Sequence, residues 1–211
     1  PVDLSLIKSQ ATFDLLFEGV LYSLALVIGS MISTTAFAAG FNRLFASSWL
    51  VLRLIAGAMT AVGQTTPMPL LLFFGYIVAG GLTYYSASVA LVVAIVILGF
   101  YNGSYAGQAL RDAAVSLHPP DGDRPLFRTT MAVAWTQMVA FLVNATKGSP
   151  AADMIGVPEF LNVVSDLTAH QRDRVVLYLV LLVFYSALVL AAIWVLSVIE
   201  TRFIRRWRAL R

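Results

Sequence analysis

The sequence predicts an all-α, polytopic membrane protein with about five transmembrane helices. Three observations carry that prediction. First, an uncharged apolar run, 175–199, is followed by a tail holding five arginines, Arg202, Arg205, Arg206, Arg208 and Arg211. A run of that length crosses a bilayer, and arginine is held on the cytoplasmic side during insertion. Second, 59% of the 211 residues are hydrophobic and only 12% are charged, with a mean hydropathy of +0.83. A soluble domain would carry about twice that charged fraction. Third, the apolar runs are continuous rather than alternating, which excludes the period-two strands of a membrane barrel.

The expected spans are about 13–39, 51–78, 84–101, 129–145 and 175–199, within a single domain covering 1–211. Each is near or above the roughly 17–25 residues that a spanning helix needs. The first places Asp14 and Glu18 at its outer end, and it is too long and too weakly basic at its start for a cleaved signal peptide. The second is interrupted by Thr66-Pro67-Met68-Pro69. Each proline removes a backbone donor and clashes with the preceding turn. Two readings stand here: a tolerated kink, or a broken helix lining a polar pathway. Gln64, Thr65 and Thr66, just before Pro67, favour the second. The third and fourth spans are the shortest. Arg111, beyond the third, is expected to snorkel at the interface with Asp112 solvated beside it. Trp49, Trp194 and Trp207, with Tyr84, Tyr85 and Tyr101, fit an aromatic belt.

Two connections are more than linkers. The inner loop, 110–128, contains His118-Pro119-Pro120-Asp121-Gly122-Asp123-Arg124-Pro125, a rigid turn by composition. The outer segment, 146–174, has Pro158 followed by Phe160, Leu161 and Val164, the pattern of a short interfacial helix. Lys147 and Glu159 in that segment are expected at the surface.

Orientation follows from the basic residues. With the C-terminus inside and five spans, the N-terminus is outside. The inner segments then hold ten of the 14 basic residues, namely Arg43, Arg53, Arg111, Arg124, Arg128 and the tail, against Lys8, Lys147, Arg172 and Arg174 outside. Cysteine is absent, which excludes disulfides, thiol catalysis and Cys-based zinc sites. The net charge of +3 comes from arginines beside the spans and does not indicate a nucleic-acid partner. Lys147-Gly148-Ser149 lacks the preceding glycine of a phosphate-binding loop. The chain is therefore expected neither to hydrolyse ATP nor to carry a cofactor of its own.

With the spans placed, the sequence resembles the permease subunit of polar amino-acid ABC importers. Gly19-Val-Leu-Tyr-Ser-Leu-Ala-Leu26 is similar to that family's opening Gly-Val and Thr-Leu pattern. Thr66-Pro67-Met-Pro-Leu-Leu-Leu-Phe-Phe74 is similar to its Arg-Gly-Thr-Pro-Leu-Leu-Val-Gln-Leu segment. Gly103-Ser-Tyr105 with Arg111 resembles its Gly-Ala-Tyr with a following Arg. Asn144-Ala-Thr-Lys147, Ile155-Gly-Val-Pro-Glu159 and the final Glu200 and Arg202 resemble its later motifs. The resemblance covers nearly the whole chain. It implies a type I ABC importer permease, in the bacterial inner membrane, for a polar amino acid or related solute. It also implies a second permease subunit, two ATPase subunits that hold ATP and Mg, and a periplasmic or extracellular solute-binding protein. Gln64, Thr65, Thr66, Pro67 and Asn144 become candidates for the substrate pathway.

The chain departs from the family in three places. Gln64 stands where the family has Arg, and Gly148-Ser149-Pro150 stands where it has Asp-Thr-Ser. In the inner loop the family carries Glu-Ala-Ala and a later Gly, forming a short coupling helix that docks on the ATPase. Here that stretch is His118 to Arg124, several residues short, with consecutive prolines and an Asp-Gly pair that oppose a helix. A heterodimer is therefore favoured, in which the other permease keeps the usual loop. Two alternatives belong to other classes: a non-transporting membrane subunit derived from a permease, and an intramembrane serine protease using Ser104. The second alternative needs His118 or His170 as base within about 3 Å. In this topology His170 is about 30 Å of hydrocarbon away, and His118 lies in a polar loop with no oxyanion donor in view.

Overall fold

Backbone groups that lipid cannot satisfy must bond within their own segment, so continuous apolar runs fold as helices. The computed structural model describes residues 10–117, 127–169 and 174–208. In chain order it holds α1 (Gln10–Phe45), α2 (Leu50–Thr65), α3 (Met68–Leu82), α4 (Ala87–Ser116) and α5 (Phe127–Gly148). A 3-10 helix (Ser149–Ile155) then leads to α6 (Phe160–Ala169) and α7 (Arg174–Ile199), followed by a π turn (Glu200–Ile204) and the short α8 (Arg205–Arg208). The described residues are mostly helical, and none of them forms a strand.

Among the described residues, three helical stretches are long and apolar enough to cross a membrane: Thr12–Phe45, Ala87–Ser116 and Val175–Ile204. The pair Leu50–Thr65 and Met68–Leu82 adds a fourth if it counts as one span, and it is bent by 114°. α5 is also long, at 22 residues, but stands outside that set because it carries Thr129, Thr130, Gln137, Asn144 and Lys147.

Several expected boundaries move. The third span does not stop at Tyr101; α4 runs on to Ser116. Ala106, Ala109, Leu110, Ala113 and Ala114 are strong helix formers, and the Gln108 amide donates to the Asp112 carboxylate one turn on at 2.9 Å. Polar residues that resembled the start of a loop thus extend a helix, which occupies positions 110–116 of the connection expected from residue 110. The second span is not one kinked helix. A residue before proline is pushed out of the helical region, and Thr66 is extended at φ −87° and ψ 128°. α3 restarts with Pro69 in its first turn, where a missing donor costs little.

α4 is the central element, and it packs most extensively on α1. Gly99, Gly103 and Gly107 recur one turn apart along α4 and let the two backbones approach, as small residues do in lipid. A Cβ at position 99 would lie 2.0 Å from Ser33 Oγ and 2.9 Å from the Ser33 backbone carbon. α2 reaches α4 the same way, since a Cβ at Gly63 would lie 2.7 Å from Ser104 Oγ.

The polarity of the assembly is inverted relative to a soluble bundle. Ser23, Ser30, Thr34, Asn102, Ser104, Thr146 and Glu159 are buried, whereas Ile28, Ile32, Leu182, Val183 and Trp194 are exposed. An apolar exterior of this extent suits hydrocarbon and would be an aggregation liability in water.

Candidate functional site

The corner between α2 and α3 positions a polar network on α4. The Gln64 amide donates to the Ser104 carbonyl at 3.3 Å, and the Tyr105 hydroxyl donates to the Gln64 carbonyl at 2.9 Å. Pro67 supplies no amide hydrogen, so the carbonyls near the break need other partners. Tyr105 fills that role for Gln64.

Tyr105 also faces a cleft of about 290 Å³ lined by Tyr101, Tyr105, Ala140, Phe141 and Asn144. The aromatic rings brace one another. Tyr101 meets Tyr105 edge-on with centroids 5.5 Å apart, and Tyr105 stacks on Phe141 at 5.7 Å. Asn144, on α5, donates through its amide to the Asn102 side-chain oxygen at 2.8 Å, and Asn102 donates to the Leu98 carbonyl at 2.9 Å. This chain of bonds fixes which way Asn144 points. The cleft thus offers hydroxyl, amide and aromatic faces and no formal charge. Such a lining can hold a small polar solute by hydrogen bonds and ring contacts.

Of the expected pathway residues, Gln64 and Asn144 come to this region, joined through Tyr105. Thr65 is not among the residues lining the cleft: it is exposed, and its hydroxyl donates to the Ala61 carbonyl of its own helix at 2.8 Å. Thr66 and Pro67 form the corner itself. His118, Pro119, Pro120, Asp121, Gly122, Asp123 and Arg124 lie outside the described residues. So do both histidines proposed for a protease. Ser104 is buried, and its hydroxyl donates to the Tyr101 carbonyl at 2.8 Å.

Tyr105 and Asn102 are not among the site residues expected from the sequence. A signal was present, because Tyr101 and Tyr105 are one turn apart on a single helix face.

A second polar cluster is buried elsewhere. Glu159 is fully buried rather than at the surface as expected. It accepts from the Leu161 amide at 3.0 Å, from the Ser23 hydroxyl at 3.0 Å and from the Tyr185 hydroxyl. Ser23 in turn accepts from the Phe160 amide at 3.0 Å. The carboxylate caps the first turn of α6 and ties it to α1 and α7, which satisfies amide donors that a helix start leaves open. Burial pushes the Glu159 carboxyl above its ordinary 4.5, and the hydrogen bonds from Tyr185, Leu161 and Ser23 only partly offset this. No group of three or more potential metal ligands occurs among the described residues.

No family model matches the sequence, and no curated protein matches it. Among solved structures, the fold is similar to the crystal structure of an amino acid ABC transporter with histidines. The TM-score is 0.73 at 16% identity, covering 96% of this chain and 99% of that chain. The chain has an ABC transporter permease fold.

Proposed function

We propose that this chain is the membrane-spanning permease subunit of an ATP-driven importer for a polar amino acid or a related small solute. The observation that carries this reading is the uncharged cleft of Tyr101, Tyr105 and Asn144 beside a broken helix, on a fold shared with an amino acid ABC transporter. Non-helical backbone at membrane depth is tolerated where it is buried or lines a cavity, and solute sites in transporters use such breaks. The permease performs no hydrolysis itself. It presents the cleft to one side and then the other as packed helices rock, while partner ATPases, which hold ATP and Mg, supply the energy.

The proposed assembly contains a second permease subunit, two ATPase subunits and an external solute-binding protein. The proline-rich stretch from His118 to Arg124 favours a heterodimer, with the other permease making the main ATPase contact. The complex sits in the bacterial inner membrane with its N-terminus outside and its C-terminus cytoplasmic.

Proteoliposomes holding the copurified complex test this reading. They should accumulate a labelled polar amino acid only when ATP and the binding protein are present, and the isolated chain should show no ATPase activity. A complex that assembles with the ATPases but moves no amino acid would favour a regulatory subunit instead. Topology is tested on this cysteine-free chain: Ser165→Cys should react with an impermeant thiol reagent from outside, and Gly122→Cys should not.

A further inference from the structure

At the ends of the candidate spans Thr12–Phe45 and Ala87–Ser116, α1, α4 and α5 surround a second cleft of about 540 Å³. Arg43 from α1 and Arg111 from α4 both line it. The Arg111 guanidinium lies 4.6 Å from the centre of the Phe45 ring, a cation–π contact that holds the charge over an aromatic face. Phe45, Val115 and Phe127 supply apolar wall, and among the described residues that line it none is a carboxylate.

Two cations from different helices above an apolar wall call for an occupant that is anionic at one end and hydrocarbon at the other. Free phosphate would use the arginines but leave the apolar walls wet. An acidic side chain of a partner protein is too short to fill the volume. The position suits a lipid, because the ends of spanning helices lie at headgroup depth, where basic pockets between helices bind anionic headgroups.

We infer that this cleft binds one anionic phospholipid. Its phosphate sits on Arg43 and Arg111, and an acyl chain runs along Phe45, Val115 and Phe127. The site is separate from the Tyr105 cleft, and it rests on reading α1 and α4 as membrane spans.

The test uses the full chain purified in mild detergent and incubated with dioleoyl phosphatidylglycerol or dioleoyl phosphatidylcholine, with bound lipid counted by native mass spectrometry. The wild type should retain the anionic lipid at least about five-fold over the zwitterionic one. Arg43→Gln with Arg111→Gln should abolish the preference, and the corresponding double Lys variant should keep most of it. Excess inorganic phosphate should not displace the lipid. Equal retention of both lipids would overturn the proposal, as would a preference that survives the double Gln change. Displacement by phosphate alone would show a simple oxyanion site and overturn it too. If the double variant does not fold, each single Gln variant should still lose about half of the preference, and no loss in either would refute the site.

Discussion

The two polar clusters of this molecule are built to opposite ends. Around Glu159 the described groups bond one another inside the fold: the carboxylate takes three donors, and Ser23 both gives and accepts. Around Asn144 the bonds position the side chain but leave it, with Tyr101 and Tyr105, lining an open cleft. A polar group buried and bonded inside the fold is structural glue. One held in place with capacity to spare is a place for a ligand. On the proposed function, stability belongs to the first cluster and solute contact to the second.

The largest effect that would break this comparison is on stability. Glu159→Ala leaves the Ser23 hydroxyl, the Tyr185 hydroxyl and the Leu161 amide without their acceptor. Buried donors left unsatisfied cost about 1–3 kcal/mol each, so a loss of at least about 3 kcal/mol is expected. A denaturation midpoint in detergent reads it, and transport per folded chain should change little. Loss of transport with unchanged stability would reverse the two assignments.

A smaller effect is expected at the link between corner and cleft. Tyr105→Phe removes the hydroxyl bonded to the Gln64 carbonyl while keeping the ring that stacks on Phe141. A cost of about 1 kcal/mol in stability is expected, with a several-fold fall in uptake. Uptake equal to wild type would detach the corner from the cleft.

A pH profile sharpens the comparison further. The folded Glu159 carboxyl titrates above 4.5 because burial disfavours its charge. The folded chain therefore binds that proton more tightly than the unfolded chain does, and stability falls as pH rises from 4.5 through the folded value. Thermal unfolding across that window should show the decline, and Glu159→Gln should flatten it. The smallest effect is expected at Thr65, whose exposed hydroxyl is bonded within its own helix. Thr65→Ala should alter stability by less than about 0.5 kcal/mol and leave uptake unchanged.

Much of the helical scheme was legible because hydropathy acts over whole segments. The fold class followed from the continuous runs, and the break in the second region followed from Pro67 and Pro69. The length of α4 was not legible, because Gln108, Arg111 and Asp112 can end a span or extend a helix beyond it, and only tertiary packing decides. Of the site, Gln64 was visible as a polar residue just before the proline break, and Asn144 through the family resemblance alone. Tyr105 was hidden among other aromatics that suit an interface equally well. Glu159 was misplaced for a different reason: its partners, Ser23 and Tyr185, are distant in sequence, so nothing local marks it as buried. The α1–α4 seam at Gly99 was likewise invisible, since a glycine reports close approach only once its neighbour is known.

The central claim is that the Asn144 cleft contacts the transported solute. Its most direct test is ATP-driven uptake by proteoliposomes carrying the Asn144→Ala complex, using whichever labelled amino acid the wild type accumulates and normalising to folded chain. Uptake per folded chain should fall by about ten-fold or more, while the loss of the bond to Asn102 costs about 1–3 kcal/mol of stability. Wild-type uptake from the Asn144→Ala complex would contradict the account.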